Sequence, residues 1–308
     1  MFLSIITPTL NCEKTLGEAL ASAGSQMESD IEHLLVDAGS MDGTVEVALS
    51  FPWISVTSEP DRGIYDGMNK GATRARGEWL LFLQGDDWLP KGAVAAYRQA
   101  IQDHPGCEVV CGSAEAFRDT RKGRQVVWSV VQSRDKELTV RNMALGEPMI
   151  NARLIRRDVF ERLKGFSLDY SLASDRDFLL RAANAGVCQI EIEEMTYCYR
   201  WHSESSTMTD GNHLSDKLLS ENLRIARQQD ITATEDARKA LRKWHSGLAV
   251  QGALTALEKG GRGFFGFVST GMLLDRWWLL RLLGEILGCF PAFLMRGCRT
   301  RSAVRNSG

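Results

Sequence analysis

Carboxylates at the ends of apolar runs are the first residues able to do chemistry in this 308-residue chain. Phe82-Leu83-Gln84-Gly85-Asp86-Asp87 sets two adjacent acids at the exit of a run too apolar to lie on a surface. Buried charge there is costly unless a cation offsets it, and a few carboxylate oxygens completed by water and phosphate suit Mg2+ or Mn2+. Asp37 ends a second run and opens Asp37-Ala38-Gly39-Ser40-Met41-Asp42-Gly43-Thr44. It can accept a hydrogen bond from the imide N–H of a base, with phosphate at the next helix start; a plain capping turn through Ser40 or Asp42 accounts for the same residues. Ser174-Asp175-Arg176-Asp177 opens a helix with two acids. Side chains two positions apart on a helix diverge, so one acid faces a crevice as base while the other pairs locally, with Arg181 one turn on. Between these lies the polar stretch from Ser58 to Gly71, where Asp61 or Arg62 faces the crevice and Lys70 either joins them or is simply solvated.

The elements that must hold these residues follow from hydrophobic period. Phe2 to Ile6, Ile31 to Val36, Trp53 to Val56, Glu78 to Leu83 and Glu108 to Cys111 read as buried strands. Lys14 to Ser25, Gly43 to Leu49, Ile64 to Arg76 and Gly92 to Gln102 read as the helices between them. That alternation predicts an α/β domain with a mostly parallel sheet, whose ligands sit at the carboxyl ends of its strands. Thr7-Pro8-Thr9, Asp37 and Gln84-Gly85-Asp86-Asp87 all fall at such ends. Beyond it, 112–150 is polar and irregular, with Arg118 to Arg124 as a hairpin or loop. A helical pattern resumes at Arg156, Ser174 caps a helix to Ala185, and 187–200 is extended. Two helices from Leu214 to Gln229 and Thr234 to Glu258 then lead into an aromatic, basic tail. The expected division is 1–213 and a helical region over 214–308.

Five segments in this order and spacing resemble family 2 glycosyltransferases, notably the bacterial members that build cell-surface polysaccharide repeat units: Ser4 to Thr9, Val36 to Thr44, Asp61 to Gly71, Gly85 to Asp87, and Ser174 to Asp177. The resemblance covers residues 1–205. It implies a GT-A, Rossmann-like nucleotide-diphospho-sugar transferase fold with a C-terminal helical appendage, a nucleotide-sugar donor and inverting transfer. By position, Thr7, Pro8, Thr9 and Asp37 would surround the nucleoside, with Asp61 and Lys70 along the donor. Asp86, the last acid of the family's DxD element, would bind the metal together with Asp87, and Asp175 would be the general base. His202 stands where many relatives carry a histidine that touches metal or phosphate. Two departures stand out: Gln84 replaces the first acid of DxD, and Ser174 replaces the glutamate before the base.

Composition narrows the partners. With 37 basic and 39 acidic residues, the chain is no polycation, which excludes nucleic acid as an electrostatic ligand. Charge is nevertheless segregated: residues 1–237 carry 25 basic against 36 acidic groups, and 238–308 carry 12 against 3. Seven scattered cysteines without a CxxC pair, and an N-terminus without a signal-peptide pattern, predict reduced thiols in the cytoplasm. Charged residues interrupt the apolar stretch from Gly263 to Arg296, so it predicts a helix lying on the cytoplasmic face of the inner membrane rather than a span; packing on the catalytic domain or in a homodimer through this region is the alternative. The expected acceptor is a saccharide, including one carried on a polyprenyl diphosphate. A non-catalytic sugar-nucleotide-binding scaffold is the competing function, with Gln84 as its support. A nucleotidyltransferase would need a glycine-rich basic loop that Thr9 to Glu13 does not supply.

Overall fold

The protein is described by a computed structural model covering residues 1–121, 123–131, 136–146, 148–201, 216–229, 234–261, 263–275 and 277–286. It forms two compact units, one from 1–138 with 149–202 and the other from 139–148 with 203–308.

The first unit begins β1 (Leu3–Thr9), α1 (Glu13–Gly24), β2 (Ile31–Asp37), α2 (Thr44–Leu49), β3 (Ile54–Ser58), α3 (Ile64–Arg74), β4 (Trp79–Phe82) and α4 (Ala93–Asp103). It continues with β5 (Val109–Thr120) and β6 (Gly123–Val130). β1 and β2 are buried at every position, as a strand covered by helices on both faces must be. The strands order as β3-β2-β1-β4, all parallel, and then β7-β5-β6, where β7 is Arg153–Arg156. β7 runs antiparallel to both neighbours, and β8 (Gln189–Arg200) pairs parallel with β5. The sheet is therefore mixed and mostly parallel. Local pattern missed β7 because four residues are too few to show a period, and its partners β4 and β5 are distant in sequence. The expected hairpin is present between β5 and β6, with Asp119 opposite Arg124 and Thr120 opposite Gly123.

One close approach sets the position of α3. A Cβ on Gly71 would collide with Ile6 of β1, so only glycine lets this helix lie so near the strands. Downstream, α6 (Arg157–Arg162) and α7 (Ser174–Asn184) cover the same region. Phe82 at the end of β4 meets Phe160 and Phe166 at ring separations of 5.5 and 5.2 Å, and these meet Phe178 of α7 at 5.3 and 5.4 Å.

In the second unit, α5 (Val140–Leu145) packs on α9 (Glu235–Glu258), with α8 (Asp216–Gln229) on the same helix. Thr234 caps α9 through the Ala237 amide. α10 (Phe264–Leu274) and α11 (Trp278–Ile286) complete it, and Trp278 is wholly buried, with its indole N–H donating to the Ser246 carbonyl at 3.1 Å. Phe265 and Leu273 of α10, Trp277 just before α11 and Leu280 of α11 are exposed. Among the described residues, no helix is long and apolar enough to cross a membrane. Inclusion of 139–148 in this unit was not visible in the local pattern, and the expected 213/214 boundary lies outside the described residues.

Candidate active site

The carboxyl ends of β1, β2 and β3 are knotted together by Asp37. Its carboxylate accepts hydrogen bonds from Thr9 Oγ1 (3.3 Å), the Gly39 and Ser40 amides (both 3.0 Å), Ser58 Oγ (2.6 Å) and Ser40 Oγ. Burial pushes this carboxyl up, but the hydroxyls of Ser40 and Ser58 and the two amides outweigh it and hold Asp37 below the usual aspartate range. Ser58 was not among the expected site residues; its position at the end of the strand beside β2 was the available signal. Thr7 is fully buried, its hydroxyl 2.8 Å from His33 Nε2 on β2. Asp42, rather than Ser40, serves the start of α2, accepting from the Thr44 amide at 3.1 Å.

The next segment wraps the front of α3. Asp61 accepts from the Gly63 amide at 2.8 Å, in a turn that places Gly63 at φ +118°, a conformation favouring glycine. Pro8 and Asp61 flank Gly67, where an added Cβ would come within 3.3 Å of the Pro8 side chain and 3.0 Å of Asp61 Oδ2. Arg62 pairs with Asp66. Lys70 folds back onto the same segment, donating to the Pro60 carbonyl at 2.7 Å with Glu59 at 3.2 Å.

The turn after β4 separates its two acids. Asp87 points inward, 1% exposed, and accepts from Tyr197 Oη at 2.6 Å and the Arg200 amide at 2.7 Å. Burial, with the neighbouring Asp86 charge, drives its carboxyl well above the ordinary range. Asp86 is the partly exposed member of the pair. The turn is pinned on both sides: Thr15 of α1 donates to the Gly85 carbonyl at 3.0 Å, and Trp88 exchanges backbone bonds with Cys198 of β8 at 3.1 and 3.0 Å. Cys12 adjoins Gly85, and burial pushes its thiol up to about 11 despite a hydrogen bond with Thr44, so it is a weak nucleophile. No group of three or more His, Cys, Asp or Glu side chains poised for a metal occurs among the described residues. A single accessible carboxylate nonetheless fits Mg2+ or Mn2+, which bind through one or two protein carboxylates with the remaining sites on substrate phosphate and water. His202 lies outside the described residues.

At the start of α7 the two acids divide as their spacing required. Asp177 is buried and paired with Arg181 Nε at 2.8 Å, and Arg181 also donates to the Leu163 and Gly165 carbonyls. Asp175 is the other acid, and burial raises its carboxyl above the usual range, opposed by hydrogen bonds from the Arg176 amide and the Tyr65 hydroxyl. Ser174 does not cap the helix; its hydroxyl donates to the Ser167 carbonyl at 2.7 Å, holding the preceding loop. Asn69 grips that loop too, donating to Phe166 O at 2.8 Å and accepting from Phe166 N at 3.0 Å. Tyr65 packs 5.2 Å from Phe166, and its hydroxyl also reaches the Leu172 carbonyl at 3.2 Å. Through Tyr65, Asn69 and the phenylalanine cluster, the start of α7 is built onto the start of α3 and the end of β4.

A parallel sheet carrying polar groups at four strand ends, extended by a mixed half, has the architecture of GT-A nucleotide-sugar transferases. Solved structures share it: Staphylococcus aureus TarS 1–349 in complex with UDP-GlcNAc aligns over 96% of this chain and 83% of its own, at TM-score 0.64 and 19% identity. The Pyrobaculum calidifontis mannosyltransferase PcManGT, in complex with GDP-Man and Mn2+, aligns over 96% and 85%, at 0.57 and 18%. In sequence, a PGL/p-HBAD biosynthesis glycosyltransferase of Mycobacterium bovis is 34% identical over 184 residues, 58% of this chain and 68% of its own. The sequence profile of glycosyl transferase family 2 matches residues 4–164, and the chain belongs to that family.

Proposed function

We propose that this glycosyltransferase moves a sugar from a nucleotide-diphosphate donor to a hydroxyl of a saccharide acceptor, in one inverting displacement, during cell-surface polysaccharide synthesis. The observation that carries the proposal is the Asp175 carboxyl, raised by burial at the start of α7, on the same structural block as the β4 exit that bears Asp86. A base with a moderately raised pKa binds a hydroxyl proton more readily than an ordinary aspartate does.

The nucleoside lies at the β1–β2 ends, against Pro8 and Thr9, with Thr7 supporting the strand through His33. The base reaches Asp37 by exchanging its imide N–H for one of the hydroxyls now bound there. Asp61 and Lys70 flank the donor. Asp86 would hold a divalent cation, with His202 as a further ligand by its position in the sequence, while Asp87 braces the turn. Mg2+ or Mn2+ bound there would supply neutralisation of the charge developing on the diphosphate. Asp175 accepts the acceptor proton as the hydroxyl oxygen bonds to the anomeric carbon and the sugar–phosphate bond breaks. Support for the donor class comes from relatives of the same fold that bind UDP-GlcNAc and GDP-Man.

A lipid-linked acceptor and attachment at the cytoplasmic face of the inner membrane complete the proposal. Both are supported by the exposed apolar side chains of α10 and α11 and by four arginines with no acid across 287–308. Donor turnover with Mn2+, in the wild type and in Asp175→Asn, tests the assignment: turnover should fall by about 10² or more while donor binding by thermal shift persists. Equal, negligible turnover in both, across nucleotide sugars and acceptors, would instead make the chain a sugar-nucleotide-binding scaffold.

A further inference from the structure

Four ionic side chains from four elements close into a ring beside the 84–88 turn. Glu18 of α1 pairs with Arg124 of β6 through one carboxylate oxygen and with Arg200 of β8 through the other. Asp119 of β5 does the same, meeting Arg124 Nε at 3.2 Å and Arg200 Nη1. Each acid thus bridges both arginines. Trp88 and Phe117 lie against the ring, with the Arg124 guanidinium 4.1 Å from the Trp88 centroid and the Arg200 guanidinium 5.0 Å from that of Phe117. The remaining nitrogen of Arg200 leaves the ring: Nε donates to the Asp86 carbonyl at 2.8 Å, while the Arg200 backbone amide holds Asp87.

Two acids and two arginines cancel, so the ring adds no net charge beside a cation and its effect there is geometric. A guanidinium is rigid and planar. Once two carboxylates fix its Nη atoms, the direction of its Nε is fixed as well. An isolated surface pair would contribute little, but the Arg200 side chain is only 12% exposed and engaged on three sides. We infer that Arg200 is a positioning residue for the turn that presents Asp86, with Glu18 and Asp119 as the anchors that aim it. The consequence for metal binding rests on the assignment of Asp86 to the donor's cation.

The test compares Arg200→Lys, Glu18→Gln, Asp119→Asn and Asp86→Asn with Arg98→Gln, which breaks a similar pairing with Glu28 and Asp30 elsewhere. Two quantities are read: amide hydrogen exchange over 84–88 in the ligand-free protein, and Mn2+ binding in the presence of UDP or GDP, followed by the Mn2+ spin-resonance signal. Arg200→Lys keeps the charge and loses the Nε donor, so exchange at 84–88 should quicken and Mn2+ affinity fall about tenfold, as when a partner behind a metal ligand is lost. Glu18→Gln and Asp119→Asn should move both in the same direction, although neither touches the turn, and Arg98→Gln should move neither. Unchanged exchange at 84–88 in Arg200→Lys, or in Glu18→Gln if the lysine variant does not fold, overturns the positioning role. Unchanged Mn2+ binding in Asp86→Asn overturns the metal assignment alone, leaving the exchange result to decide on Arg200.

Discussion

Asp175 and Tyr65 make a pair whose chemistry can be read by pH. As the proposed base, Asp175 must be ionised to act, so kcat/KM should fall as pH drops through its pKa, and burial sets that acid limb above the ordinary aspartate value. Tyr65 opposes the shift by hydrogen-bonding the charged form, so in Tyr65→Phe the limb should move further up; a limb that stays or moves down would show that Tyr65 does not act on Asp175. His33 gives a second residue-scale prediction. It is fully buried and held neutral, with its pKa pushed down to about 3 by desolvation and its Nδ1 without a partner. An unfolded histidine takes up a proton below about 6.5, so the unfolded state binds more protons as pH falls from there toward 3, and stability drops. The loss is about 2 kcal/mol by pH 5. Urea unfolding of His33→Gln should lack this increment between pH 7 and pH 5.

At the scale of elements, the site depends on how α3 is tied to the loop before α7. Asn69 makes both bonds to the Phe166 backbone, and Asn69→Ala leaves a partly buried amide and carbonyl unpaired. That should cost about 1–3 kcal/mol in denaturant unfolding and lower transfer more than donor affinity, because the loop positions Asp175. Gly71→Ala drives a methyl into Ile6 and should cost about 1–3 kcal/mol. Asn69 and Gly71 both sit in the stretch whose polar density marked it out in the sequence, yet their roles are internal: one fastens a loop, the other permits a close approach. Lys70, between them, turns back to Glu59 and Pro60.

At the scale of the whole molecule, the change from acidic to basic sequence at 237/238 falls inside the helical unit, near the start of α9. The helical unit shows Phe265 at 82% and Leu273 at 88% exposure, near Trp277 and Leu280. These exposed apolar side chains, with Trp277 exposed while Trp278 is buried, and the arginines that follow in the sequence, are what the proposed attachment to a lipid surface would use. Sedimentation with vesicles containing anionic lipid should retain the full chain, release it as salt is raised, and retain less of a Leu273→Asp, Trp277→Asp double variant. Equal retention on neutral and anionic vesicles would remove the electrostatic part of this attachment.

Alternating apolar runs and helical periods were enough to define β1 to β4 and their helices: β1, β2 and β4 are buried at every position, and burial writes itself into local composition, whereas β3, expected as a buried strand, is the half-exposed edge of the sheet. The same pattern placed Asp37, Asp61, Asp86 and Asp175 at strand exits and a helix start, and the two-residue spacing anticipated that one of the two α7 acids would pair locally, which the structure shows to be Asp177 with Arg181. What local pattern could not carry was any contact made between distant segments. The insertion of β7, the inward turn of Asp87 onto Tyr197 and Arg200, the Asn69 clasp and the ring through Glu18, Asp119, Arg124 and Arg200 each depend on partners dozens to more than a hundred residues apart. Such pairings carry no period, and only the packed chain decides which donor meets which acceptor.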